Sequence, residues 1–475
     1  MKLPWFDYPV RLAAVILLLT ITCPTWMQAQ SQDQTTPDLQ QLNQRLQQLE
    51  KEMLELKGEI SAAEQAQKPA QLTAGSPPAP HGQPSDATVP MEGQVTEKAS
   101  SINFYGFVML DSGYQFGQQD PAWYDVVRPT KLPSYRNEFA PSGNVYGSVR
   151  QTRFGVKSST PTRFGDLNTI FEFELFGTGV DAGQTTFRLR HAYGELGQFG
   201  AGQTWSPFMD IDVFPNSLEY WGPNGMVFFR NIQVRWTPVR NDRTGIVIAL
   251  ERPGASADQG VYTGRIELQG VKPRFNWPDL SGHVRLTRDW GYLQMAAIVR
   301  KIGWVDTNND QFQLGGHAVG WGVNVTSNLK MGSRDVAKLA VVYGAGIENY
   351  MNDAPVDIGV KNNPQNPITP ITGDALPVLG IVSFLDHNWS DRFSSSAGYS
   401  LVNIENSNGQ NGSDFHQGHY ALANLLYHPI PRVTIGSEFQ FGRRVNFFDG
   451  FNTNDYRVQF SFKYDWNKGF NFSTK

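Results

Sequence analysis

The sequence predicts an all-β protein: a transmembrane antiparallel β-barrel of about 16 strands, preceded by an N-terminal α-helical coiled-coil segment. Three observations predict this. In the stretch 149–205 the side chains alternate strictly: Phe171, Phe173 and Leu175 oppose Glu172 and Glu174, and Phe187 and Leu189 oppose Arg188 and Arg190. Successive strand residues face opposite sides, so one face is aromatic and the other ionic, as a water-filled barrel in lipid requires. From Ser101 onward, strand-like segments separated by Gly, Pro, Asn and Asp clusters repeat this texture. Finally, a mean hydropathy of −0.38 and a single long apolar run, Leu12 to Thr22, exclude a bundle of membrane helices.

That apolar run belongs to the chain's beginning. Lys2 and Arg11 precede it and Met27-Gln28-Ala29 follow, so residues 1–29 read as a secretory signal peptide. The one cysteine, Cys23, lies within this segment. A lipid anchor needs a small residue just before the cysteine, and Thr22 fits poorly. Cleavage after Ala29 leaves an exported chain without disulfides, stabilised by strand pairing and packing.

Residues 30–67 carry Leu39, Leu42, Leu46, Leu49, Met53, Leu56 and Ile60, stepping alternately by 3 and 4. This is the a/d seam of a coiled coil, with Arg45, Glu50, Glu52, Lys57 and Glu59 flanking it. A lone helix packed on a domain would show the same stripe. The segment 68–100 that follows is rich in Pro, Gly, Ser and Gln and reads as a disordered linker, which favours self-association.

The barrel is expected over 101–475, where 33 basic and 33 acidic residues balance. A neutral domain is not a nucleic-acid binder on bulk charge, so any ion preference comes from where the charges stand. Strands are expected around Ile102–Asp111, Ile232–Trp236, His283–Thr287, Val433–Phe441 and Arg457–Tyr464. Within 149–205 they are expected at 149–159, 167–177 and 186–205, with Pro161, Gly165 and Asp166 at the first turn. The 12 Trp and 17 Tyr suit aromatic girdles. The chain ends Phe470-Asn471-Phe472 before Ser-Thr-Lys, leaving open where the closing strand stops. Long connections fall at Gln118–Tyr146, Ser206–Gly225 and Tyr350–Pro377. The second mixes Phe208, Met209, Ile211, Val213, Phe214 and Leu218 with Asp210, Asp212 and Glu219. It suits either a constriction loop inside the wall or an external loop at a subunit interface.

No nucleophile elbow, zinc-protease helix, phosphate loop or dinucleotide fingerprint occurs in the sequence, and no cofactor or metal is expected. The positive signal is arginine on strands. Arg153, Arg188, Arg190, Arg235, Arg285 and Arg457 all fall on the polar face. Facing lipid at mid-depth would cost each about 2–4 kcal/mol, so they line the lumen or the rim. Glu172 and Glu174 are candidate partners that brace the wall. An arginine excess beside a narrowing loop attracts carboxylates, because the guanidinium fork matches two oxygens. The leading expectation is a passive channel with anion preference. A barrel-embedded lipid hydrolase and a structural tether acting through the coiled coil are the alternatives.

The runs INFYGFVMLDSGYQFG (102–117), PTKLP (129–133), QTRFGVKSSTP (151–161), RLRHAYGELG (188–197) and AGQTWSPFMDIDVFPNSLEYWGPNG (201–225) resemble the DcaP-like outer-membrane porins of Gram-negative bacteria. The resemblance covers essentially the whole mature chain and is strongest over 101–236. It implies a homotrimer of 16-stranded barrels with an N-terminal coiled coil in the periplasm. It implies an outer-membrane setting among lipid and lipopolysaccharide, and passage of small anions such as dicarboxylates. Lumen positions carry over for Arg153, Arg188 and Arg190, whose motifs match.

Overall fold

The computed structural model describes residues 99–472. The signal segment, the heptad seam and most of the linker lie outside the described residues.

Eighteen strand segments form one sheet that closes on itself. Closure comes from the first strand, β1 (Ser100–Gln115), pairing antiparallel with the last, β16 (Asn452–Phe472), from Ser100↔Phe472 to Gln115↔Arg457. Two wall strands are interrupted. β2 consists of Asn144–Ser148 and Arg153–Thr162, both paired to β1. β8 consists of Val271–Pro273 and Asp279–Arg288, both paired to β9 (Gly291–Asp306). The wall therefore has sixteen antiparallel strands. Between these run β3 (Gly165–Phe176), β4 (Thr185–Leu196), β5 (Phe199–Trp205), β6 (Arg230–Arg240) and β7 (Thr244–Glu251). The rest are β10 (Gly316–Lys330), β11 (Asp335–Ala345), β12 (Pro377–Asn388), β13 (Phe393–Ile404), β14 (Phe415–Tyr427) and β15 (Val433–Asn446).

The wall is inverted relative to a soluble sheet. On β6, Val234 is 60% exposed while its neighbour Gln233 is 3% exposed. The same holds around the ring. Val108, Leu110, Phe171, Val299, Val319 and Phe460 face out, while Asp111, Glu172, Asn324, Gln440 and Gln459 are buried. Water outside would never select this; hydrocarbon outside and polar groups inside do.

Connections sort by rim. One rim has short turns at 163–164, 197–198, 241–243, 289–290 and 331–334. The other carries the long loops 116–143, 206–229, 252–270 and 346–376, the last containing a small hairpin of Ile358–Asn362 and Ile371–Ala375. Closure leaves no sheet edge in the wall, so every ladder hydrogen bond is made without lipid-exposed backbone.

Several expected boundaries move. The block 186–205 is not one strand but two, β4 and β5, because Gly197 takes φ +61 and turns the chain. Pro161 belongs to β2, and the turn falls one step later at Arg163-Phe164, before Gly165 at φ +112. The loop after β5 runs to Phe229 rather than Gly225, and the closing strand ends at Phe472.

Candidate functional site

The loop 206–229 crosses the inside of the barrel. Leaving β5 at Trp205, it first follows the inner faces of β8 to β11. His283 Nδ1 lies 2.9 Å from the Pro207 carbonyl, and Asn324 Nδ2 donates to the Phe208 carbonyl at 2.9 Å. Gln294 donates to the Met209 carbonyl at 3.1 Å, and Asn328 to that of Asp212 at 2.8 Å. The loop then swings across to the opposite wall. The Glu438 carboxylate on β15 accepts the Leu218 and Glu219 amides at 2.7 and 3.0 Å. Gln151 and Gln459 donate to the Leu218 carbonyl at 2.9 and 3.2 Å. Tyr220 donates its hydroxyl to Glu174 on β3. Contacts with polar inward groups on so many strands are possible only from within.

Apolar residues hold the loop to one side. Phe208, Met209, Val213, Phe214 and Phe228 pack on Ala296, Ile298, Ala340, Val342 and Val382. Backbone meets backbone at Gly225: a Cβ there would collide with the Leu401 carbonyl, and one on Gly380 with the Gly225 carbonyl. The apolar side chains of Phe208, Met209, Val213 and Phe214 thus face β9 to β13, while Leu218 packs on Phe107 and Met109 of β1 and Leu426 of β14.

Two further loops lock over it. Arg128 lies between the rings of Trp123 and Trp221, at 4.2 and 4.0 Å, and forms an ion pair with Asp353 at 2.8 Å. Trp221 Nε1 donates to the Asn352 carbonyl at 2.9 Å, and Asn352 returns Nδ2 to the Trp221 carbonyl at 2.7 Å. Each loop alone would have to order itself at a large entropic cost; tied together, they share it.

On the polar side stands a compact charge cluster. Glu174 accepts from Arg190 at 2.9 Å and from Arg153 at 3.1 Å, with Arg188 at 4.0 Å. Glu172 accepts from Arg190, with Arg153 at 3.8 Å and His191 at 3.9 Å. His191 reaches the lumen because of a bulge. Glu172 faces His191 and Phe173 faces Leu189, so Arg190 is the extra residue, and Arg190 and His191 both turn inward. Alternation alone gives no sign of that bulge.

The remaining predicted residues separate. Arg285 forms ion pairs with Asp210 at 3.5 Å and with Asp212, stacking on Tyr292 at 3.6 Å. Asp210 also accepts from Tyr292 at 2.7 Å and Thr326 at 2.5 Å. These two loop acids and Arg285 therefore fasten the loop to β8 to β10. Arg235 donates to Gln233 at 3.0 Å and to the Trp205 carbonyl. Toward the short-turn rim, Asn103, Lys157, Asn168, Tyr193 and Glu195 line a cavity of about 330 Å³.

Glu219 is fully buried and accepts from the Val127 amide at 3.0 Å, the Gly222 amide and the Tyr420 hydroxyl at 3.0 Å. Burial pushes its carboxyl up to about 7, against the lowering effect of these amides and of Arg457. A raised carboxyl is neutral, and its contribution to stability complete, below the ordinary carboxylate range; the contribution is lost as pH rises through about 7. Melting temperature should therefore fall between about pH 5 and pH 8, and Glu219→Gln should remove part of that slope. Parallel melting curves at both pH values for wild type and variant would refute this role.

Sequence reasoning missed Arg230. Alternation with Ile232 and Val234 assigns it to the lipid face, yet at the strand's first residue the chain turns and buries it beside Trp205. Arg300 on β9, which binds Asp279 and Asp357 at 2.9 Å each, was missed as well.

A family model described as DcaP outer membrane protein matches residues 83–466. The chain belongs to the DcaP outer membrane protein family. As a DcaP-family member it is an outer-membrane channel of the porin type. Among solved structures, the outer membrane channel DcaP of Acinetobacter baumannii is similar with a TM-score of 0.64 at 20% identity, covering 79% of this chain and 100% of that one. An anion-selective porin from Comamonas acidovorans is similar with a TM-score of 0.50 at 9% identity, covering 77% of this chain and 100% of that one. At these identities the likeness concerns the fold. No curated protein sequence matches the chain.

Proposed function

We propose that this channel passes small anions, dicarboxylates among them, by passive diffusion along the β2 to β8 side of the lumen. The observation that carries the reading is the charge balance beside the loop. Among the described residues, Arg153, Arg188, Arg190 and Arg230 gather around two carboxylates, Glu172 and Glu174. The surplus cations sit in a wall of low dielectric, where the field is focused and local anion concentration rises. Lys157 and Arg235, both partly exposed, continue the positive track toward the cavity at the short-turn rim, whereas Arg285 is held by Asp210 and Asp212. Asp210, Asp212 and Glu219 narrow the route by holding the loop rather than by meeting the solute. Nothing is transformed, and solutes move down their gradients.

Reversal potentials in a potassium chloride gradient across a planar bilayer test this directly. Chloride should be the more permeant ion; potassium preference would overturn the reading.

The proposed assembly is a homotrimer in the outer membrane, with residues 1–29 removed on export. The seam at 30–67 would join three copies in the periplasm through the 68–100 linker. Deleting 30–68 should weaken the oligomer in native mass spectrometry. An unchanged trimer would assign the arm to tethering instead.

A further inference from the structure

Arg230 is buried to 9% exposure at the point where the loop rejoins the wall. Its neighbours include Arg188, Arg190, Glu174 and Tyr220. Glu174 already receives Arg153, Arg190 and Tyr220. Among the described residues Arg230 forms no ion pair, and its Nη1 is buried without a hydrogen-bond partner. The Trp205 ring lies 4.9 Å from the guanidinium carbon. A stacked guanidinium keeps its in-plane nitrogens available as donors. A buried cation among other cations, short of carboxylates, is an arrangement folding alone disfavours. What it lacks is one anion with two oxygens.

We infer that Arg230, set against Trp205 and flanked by Arg188 and Arg190, is a carboxylate-binding residue of the channel, taking one carboxylate of a passing organic anion in a bidentate hydrogen bond. The inference rests on the anion-channel reading and deepens it. A guanidinium edge matches a planar carboxylate and gives a spherical halide no second contact. Arg230 thereby separates organic acids from chloride, whereas the surplus charge around it acts on both.

The test uses the full-length protein in planar bilayers, with sodium succinate added to potassium chloride and current blockade recorded. Wild type should show saturable block by succinate. Arg230→Met should raise the half-blocking concentration about tenfold or more, since losing a charged hydrogen-bond pair weakens binding by that order. Arg230→Lys keeps the charge and loses the fork. It should keep the chloride-to-potassium ratio and lose most of the succinate affinity. Unaltered block in Arg230→Met, wild-type block in Arg230→Lys, or no block in wild type would each overturn the inference. Heat-modifiable migration reports folding; if the methionine variant fails to assemble, the lysine variant decides. A cation-selective wild type sinks the channel reading itself, whereas an anion-selective wild type with unaltered variants sinks only this site.

Discussion

Replacing Arg190 with alanine is expected to cost about 3–5 kcal/mol, because it strips Glu172 and Glu174 of the cation that holds both. Arg190 has no exposed surface, and neither does Glu174. Their attraction is therefore poorly screened, and the carboxylates left behind have no water to turn to. Arg153 and Arg188 remain near Glu174 and recover part of the loss. The double change Arg188→Ala with Arg190→Ala leaves Arg153 as the remaining partner of Glu174 and takes the local charge from cationic surplus to balance. The chloride-to-potassium permeability ratio should then fall markedly, and thermal denaturation should shift to lower temperature. Glu172→Gln with Glu174→Gln is the opposing control and should raise the ratio. If the arginine pair can be removed without change in either measurement, the cluster neither braces the wall nor selects ions.

The second large effect concerns the loop. Gly225→Val puts a branched side chain where the Gly225 backbone meets Leu401 and Gly380 of the wall. The obstacle is backbone within a hydrogen-bonded barrel, which cannot step aside, so the loop must lift. Its apolar face then leaves Ala340, Val342 and Val382, and the lumen of a sixteen-stranded wall opens to water. Single-channel conductance should rise by roughly twofold or more, with frequent fluctuation between levels, while the wall itself stays folded. Conductance equal to wild type would mean that the loop does not limit the pore. The Arg128–Asp353 pair between Trp123 and Trp221 is a second anchor, which would hold the loop's far end and keep the opening partial.

Much of this was legible in the chain because its cause is local. The period of two belongs to any strand, so alternation around Val234, Leu110 and Phe460 already names the lipid face. The same alternation puts Arg153, Arg188, Arg235 and Arg285 in the lumen without knowledge of any partner. Length and turn spacing give the strand number, and the motifs between 102 and 225 carry the resemblance that the family match bears out.

Other features were decided by contacts between residues far apart in sequence. Whether 206–229 lies inside or outside turns on Glu438, Gln459 and Asn324, which come 220, 241 and 116 residues after the loop groups they bind. His191 and Arg190 share the lumen only because β4 bulges against β3, and Arg230 turns inward only where its strand meets the loop. Pairing of arginine with carboxylate follows the path of the backbone in space rather than its order. The sequence by itself determined the tube and, wherever strict alternation holds, which side chains face its bore. The tertiary structure alone decided which of those charges are spent on one another, because that depends on distances set by closure of the barrel and by the loop packed within it.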